Sequence, residues 1–141
     1  MAYLEWQEKL NTGIDVIDGQ HKRIVNYINQ LHEACYKESD NCSKVYNTII
    51  ELVDYTISHF VFEESLLKEA GYHKMHEHNK THKEFSNKIF DYKVRASKGE
   101  DVAEQLLNLL HDWLFGHILK EDALYVPTVS RYFIKNQSTK K

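Results

Sequence analysis

His59-Phe60-Val61-Phe62-Glu63-Glu64 and, past Gly71-Tyr72, His78-Asn79-Lys80-Thr81-His82 are the stretches that decide how this chain folds. Each places two metal-capable side chains four residues apart, first His59 with Glu63, then His78 with His82. Positions i and i+4 lie one above the other on the same face of an α-helix. Each stretch therefore aims two donor atoms at one point. Two such helices, joined by a short turn, can build a two-metal site if the rest of the chain supplies further ligands.

Working outward, apolar residues continue both faces. Ile49, Leu52, Thr56, Leu66 and Ala70 align with His59 and Glu63, and Gly71 is expected at the C′ position that ends this helix. The next helix carries Met75, Phe85, Ile89 and Tyr92 in line with its two histidines and stops before Gly99. Upstream, His21, Ile24, Ile28, Leu31 and Cys35 recur at helical spacing, with Asp18 as the expected N-cap. A polar break over 39–43 separates this helix from the next, with Ser43 as the expected cap. A fourth helix holds Leu106, Leu110, Trp113, Leu114 and His117, followed by Asp122. Beyond Pro127, residues 128–135 are expected to form a short terminal helix. Residues 1–17 read as an ordered arm, and 136–141 as a loose tail. No alternating strand pattern competes. The expected fold is all-α, an antiparallel up-down-up-down four-helix bundle with an N-terminal arm and a short C-terminal helix, forming one domain over residues 1–135.

Composition narrows the function classes. A chain of 141 residues with 42% hydrophobic and 28% charged residues can bury one core without disulfides. A net charge of -3 argues against nucleic acid or an anionic membrane as partner, because both call for a basic patch. No apolar run approaches the ~20 residues that span a bilayer, so no membrane insertion is expected. The N-terminus lacks the basic start and apolar stretch of a secretory signal, and Cys35 and Cys42 are too few for a disulfide framework. A cytoplasmic protein is the expectation. Nine histidines are unusual.

The inward faces collect His21, His59, Glu63, His78, His82 and His117, with Asp122 close by. One histidine on an apolar face is ordinarily a hydrogen-bonded core residue. Seven ionisable groups at one end of a bundle are too costly to bury without a cation. Five imidazoles and two carboxylates suit Fe or Zn, and are too rich in nitrogen for Mg or Ca. His117 and Asp122 are five residues apart, which on a regular helix turns their directions apart by about 140°. A π-type turn would bring them nearly into line, and such turns cluster at functional sites. Gly116, with its weak helix preference, lowers the cost of that distortion. An i→i+5 hydrogen bond is therefore expected between Leu114 and Tyr125.

The motifs Asp18-x-Gln20-His21, His59-Phe60-x-x-Glu63-Glu64, His78-x-x-x-His82 and Trp113-Leu114-x-x-His117-x-x-x-x-Asp122 resemble those of the hemerythrin family, in particular its single-domain bacterial form. The resemblance covers nearly the whole chain. It implies two non-haem Fe ions with an oxo or hydroxo bridge. His78, His82 and His117 would hold one iron, His21 and His59 the other, and Glu63 and Asp122 would bridge. The second iron is then one ligand short, and the resemblance implies that dioxygen binds there reversibly. Ile24, Phe60, Trp113 and Leu114 match the family's oxygen-pocket positions. The implied role is an oxygen carrier, store or delivery protein rather than an enzyme. It is expected to be a monomer and leaves room for an oxygen-consuming client protein. The alternative is an oxygen or nitric oxide sensor or scavenger using the same site. Family sensors are usually fused to a signalling module, and this chain ends almost where the domain does. Ferritin-like oxidases use Glu-x-x-His repeats, and no glutamate here has a histidine three residues later.

Other residues are expected to play lesser parts. Tyr125, one turn beyond Asp122, is expected to hydrogen-bond near the site. Glu64 and Asp112 read as solvated or helix-surface charges rather than catalytic acids, and His32 and His111 fit no ligand position. His73, which replaces a proline common in the family, and His76 are expected to be exposed. Cys35 and Cys42 are expected to be chemically idle.

Overall fold

A computed structural model of the chain describes residues 3–36 and 42–139, with only the backbone of 42, 43 and 136–139. Helix α1 spans Asp15–Tyr36, α2 Cys42–Ala70, α3 Met75–Ser97 and α4 Ala103–Trp113. A π-helical segment, Leu114–Asp122, continues α4, and α5, Ala123–Thr139, continues the π segment. The four long rods form the expected up-down-up-down bundle. Helix α1 packs on α2 and α4, α2 packs on α3, and α5 lies back against α2. Among the described residues there is no strand, and no helix is long and apolar enough to cross a membrane.

Local chemistry sets the helix ends. Gly71, at φ 74°, takes the left-handed conformation that closes a Schellman motif. There the Tyr72 N–H bonds to the Leu67 carbonyl and the Gly71 N–H to that of Lys68. That closure turns Tyr72 inward, where it is 5% exposed. Helix α1 departs from expectation. It begins at Asp15, and the first intrahelical bond runs from the Asp18 N–H to the Ile14 carbonyl, so Asp18 is inside the helix rather than its cap. Its carboxylate reaches back instead, accepting the N–H and hydroxyl of Thr12 on one oxygen and the Gly13 N–H on the other. Gly13, at φ 85°, makes the reversal that brings those donors over the first turn. The expected cap Ser43 falls where side chains lie outside the described residues.

The terminal helix also differs from expectation. It begins at Ala123, not after Pro127, and runs through the proline. Proline removes one helical donor and frees the carbonyl four residues back, here that of Ala123. Both Ala123 and Pro127 are exposed, so water can satisfy that carbonyl, and the helix continues. Its backbone is helical to Thr139; the tail expected at 136–141 otherwise lies outside the described residues.

The core is in two parts. The larger cluster includes Ile24, Ile28, Leu52, Phe60, Phe85, Leu106, Leu110, Trp113 and Leu114. The smaller holds Ile14, Ile17, Leu66, Leu67, Tyr72, Tyr125 and Val129. Each long rod passes from one cluster to the other through a polar residue. Along α1 the order is Ile17, His21, Ile24; along α2 it is Phe60, Glu63, Leu66. A layer of ionisable side chains is thus sealed between two apolar plugs.

Candidate metal centre

Seven side chains meet in that layer. His21, Glu63 and Asp122 are wholly buried, His59, His78 and His82 are 2% exposed, and His117 is 5% exposed. They come from α1, α2, α3 and the π segment, and all five histidines direct Nε2 inward. His21 and His59 bring their Nε2 atoms within 3.1 Å of each other, and His82 and His117 bring theirs within 3.2 Å. His78 completes the second group, its ring 4.4 Å from that of His82 and 5.3 Å from that of His117. Three imidazoles thus gather on one side and two on the other.

The two carboxylates are each divided between these groups. Glu63 turns Oε1 toward His78 at 2.6 Å and His82 at 3.1 Å, and Oε2 toward His59 at 3.2 Å and His21 at 3.9 Å. Asp122 turns Oδ1 toward His117 at 3.0 Å and Oδ2 toward His21 at 3.2 Å. A carboxylate with one oxygen in each group is placed to bridge two cations. The π segment makes this possible for Asp122. Its wide turns bring residues five apart onto one face, as the His117–Asp122 spacing predicted.

An outer ring of polar groups holds the inner one. The His59 Nδ1–H donates to Gln20 Oε1, which leaves the Nε2 lone pair facing the centre. The Tyr125 hydroxyl donates to Glu63 Oε2 at 3.1 Å. Burial first, then Asp122 and Glu63, push this phenol far above the usual tyrosine range, so it acts only as a donor. Burial would raise the Glu63 carboxyl, but hydrogen bonds from His59, His78 and His82 outweigh it and hold the group well below the carboxylate range. Burial and Glu63 likewise oppose ionisation of Asp122, and His117 and His21 reverse the balance. Burial lowers the His82 pKa. For His117 the same burial is overcome by Asp122, and its pKa rises.

The donor set fits cations. Although His117 and His21 stand close to Asp122, neither of its oxygens has a hydrogen-bond partner, and a fully buried carboxylate left so is costly. Glu63, His78, His82, His117 and Asp122 can converge on one ion, and His21, His59 and Glu63 on a second. Residues 12–129 match the model of the hemerythrin HHE cation binding domain. This chain belongs to the hemerythrin family. It is 50% identical over 129 residues to a bacteriohemerythrin of Pseudomonas aeruginosa (strain LESB58), covering 92% of this chain and 83% of that protein. A bacteriohemerythrin of Stenotrophomonas maltophilia (strain R551-3) is 44% identical over 132 residues, covering 94% and 85%. Among solved structures, the crystal structure of a wild-type hemerythrin superposes with a TM-score of 0.86 at 29% identity, over 92% of this chain and 99% of that one.

Within this hemerythrin domain, the residues expected to wall the pocket are all buried: Ile24, Phe60, Trp113 and Leu114. Phe60 stacks on the His82 ring at 4.0 Å and Trp113 on the His117 ring at 5.2 Å. Tyr125 stands where it was expected, close to the centre. Glu64 lies on the surface of α2, partly exposed. Its side chain is 31% exposed, and Oε1 is 3.6 Å from His82 Nδ1. Asp112, at 85% exposed, is a solvated charge beside His111. His73 and His76 are exposed. His32 and His111 pack against Tyr3 of the N-terminal arm, away from the hemerythrin centre. Cys35 is a free thiol whose pKa is raised by burial and Asp101; the side chain of Cys42 lies outside the described residues. The part played by Gln20 was missed. Its one signal in the sequence is its place beside His21, and its partner His59 is 39 residues away.

Proposed function

We propose that this protein reversibly binds dioxygen at a centre of two non-haem Fe ions and serves as an oxygen carrier, store or delivery protein. The observation that carries this reading is the division of Glu63 and Asp122, each with one oxygen toward the three-imidazole group and one toward the two-imidazole group. His78, His82 and His117 would hold one ion, His21 and His59 the other, and both carboxylates would be shared. Five protein donors then serve the first ion and four the second, which leaves the second a position for a small ligand. When bound, the ion pair supplies the two electrons that make reversible dioxygen binding possible.

The chain supplies everything else. Gln20 fixes the His59 tautomer, and Tyr125 orients Glu63 by donating to one of its oxygens. Ile24, Phe60, Trp113 and Leu114 form a dry wall on one side of the layer, and Ile17, Leu66 and Leu67 on the other. Excluding water protects a reversible complex from proton-assisted loss of reduced oxygen. In this reading the protein carries its ligand unchanged and is not an enzyme. It acts as a monomer in the cytoplasm and hands oxygen to an oxygen-consuming client.

The test is spectroscopic. Protein loaded with ferrous iron should contain about two Fe per chain, show a charge-transfer band in air, and lose the band when oxygen is removed. A single zinc ion per chain would overturn the di-iron reading. A band that forms only with nitric oxide, or never reverses, would move the role to sensing or scavenging.

A further inference from the structure

The two groups of imidazoles differ in what stands behind them. His59 donates its Nδ1–H to a neutral amide, Gln20. His82, 2% exposed, has a buried Nδ1 without a hydrogen-bond partner, and the nearest acceptor is a carboxylate oxygen of Glu64 at 3.6 Å. The Nδ1 atoms of His21 and His117 are likewise buried and unpartnered, and among the described residues the carboxylate contacts of these two rings are made through Nε2. Glu64 follows Glu63 on α2 and therefore points to a different side of the helix, outward past the rim of the centre. Being half-buried, it has room to change a side-chain torsion, and a few tenths of an ångström bring Oε1 within hydrogen-bond reach.

We infer that Glu64 is a positioning residue for the ion held by His82. It accepts the His82 Nδ1–H, fixes the tautomer that turns Nε2 to the metal, and strengthens that imidazole as a donor. A hydrogen bond to a carboxylate is about twice as strong as one to an amide, and it raises the basicity of the ligand on the far side of the ring. The two ions are therefore held unequally. The ion of the three-imidazole group receives carboxylate support through His82, and the ion of the two-imidazole group receives amide support through His59. This inference rests on the two-ion reading above and adds a second source of asymmetry to the difference in donor number.

Titrating the apoprotein with Co(II) tests it, because Co(II) reports affinity through its visible bands and shifts the exchangeable imidazole protons of its ligands in proton NMR. Glu64→Ala should weaken one of the two Co(II) ions by about 10-fold or more, in the range seen when such outer partners are lost, and leave the other unchanged. The shifted His82 Nδ1–H resonance should exchange with water faster in that variant. Glu64→Gln should restore most of the affinity but move that resonance, since an amide accepts the bond more weakly. Glu64 is partly exposed on a long helix, so both variants should fold, as circular dichroism would verify. Identical affinities and an unmoved resonance in Glu64→Ala, or equal weakening of both ions, would overturn the assignment. A wild-type protein that takes up one Co(II) counts against the two-ion reading alone, and the Glu64→Ala comparison on that ion still decides the role of Glu64.

Discussion

Tyr125, with none of its surface exposed, donates its hydroxyl proton to Glu63 Oε2 at 3.1 Å across 62 residues of sequence. The bond ties α5 to α2 at the oxygen that faces His59. Tyr125→Phe keeps the ring packing and removes this hydroxyl donor to Glu63. Hydrogen bonds to charged groups contribute about 1.5–3 kcal/mol, so the apoprotein should lose stability of that order, seen as a lower urea midpoint with an unchanged slope. The metal-loaded protein should lose less, because an ion then shares the charge of that oxygen. An equal loss in both forms would place Glu63 Oε2 away from the metal.

Acid should unload the centre before it unfolds the chain. An imidazole ligates only when neutral, so protons compete with metal as pH falls through the range near 6.5. Glu63 and Asp122 have folded pKa values below their unfolded ones. Their contribution is present above the unfolded carboxylate values near 4 and is lost as pH falls through the depressed ones. His117, whose pKa is raised, adds stability to the apoprotein below about 6.5 and loses it as pH rises through the folded value. The loaded protein should therefore show a fall in Tm and metal content together across the imidazole range. In the apoprotein His82, whose pKa burial lowers, loses stability across the same range and opposes the gain from His117. The apoprotein's fall there should therefore be much smaller than that of the loaded protein. Equal melting temperatures for the two forms at pH 7 would refute the coupling.

Leu114 is wholly buried at the junction of α4 and the π segment, three residues before His117. Leu114→Ala should cost about 2–5 kcal/mol through lost burial and a cavity. Space next to the centre should also admit water, so the oxygenated form should decay faster in air at constant temperature. An unchanged lifetime would place Leu114 outside the oxygen pocket.

Gly116 lies within the π segment, and a Cβ added there meets nothing within 4 Å. Gly116→Ala should therefore be accepted, with stability raised by about 0.4–1 kcal/mol through a less flexible unfolded chain. Metal content should stay the same. Loss of metal in this variant would show that the wide turns depend on the freedom of glycine rather than on the burial of His117 and Asp122.

The residue order alone determined the bundle and its seven inward donors, because helical register is local. Once a segment is helical, 3.6 residues per turn fixes which side chains share a face, and His59 with Glu63 or His78 with His82 follows directly. Even the π segment was legible, since the five-residue gap from His117 to Asp122 cannot put both on one face of a regular helix. Tertiary structure decided the rest, because those features depend on how far helices rotate and slide against each other. Gln20 meets His59, Glu64 reaches toward His82, and Tyr125 finds Glu63 only once α1, α3 and α5 are docked on α2. The helix start at Asp15 was hidden for a similar reason. Asp18 has the side chain of a cap, and only the path of the arm through Thr12 and Gly13 shows that it binds backward from inside the helix. Pro127 looked like a boundary because its missing donor is visible in sequence. That the carbonyl it frees is open to water was decided by which face of the last helix turned outward.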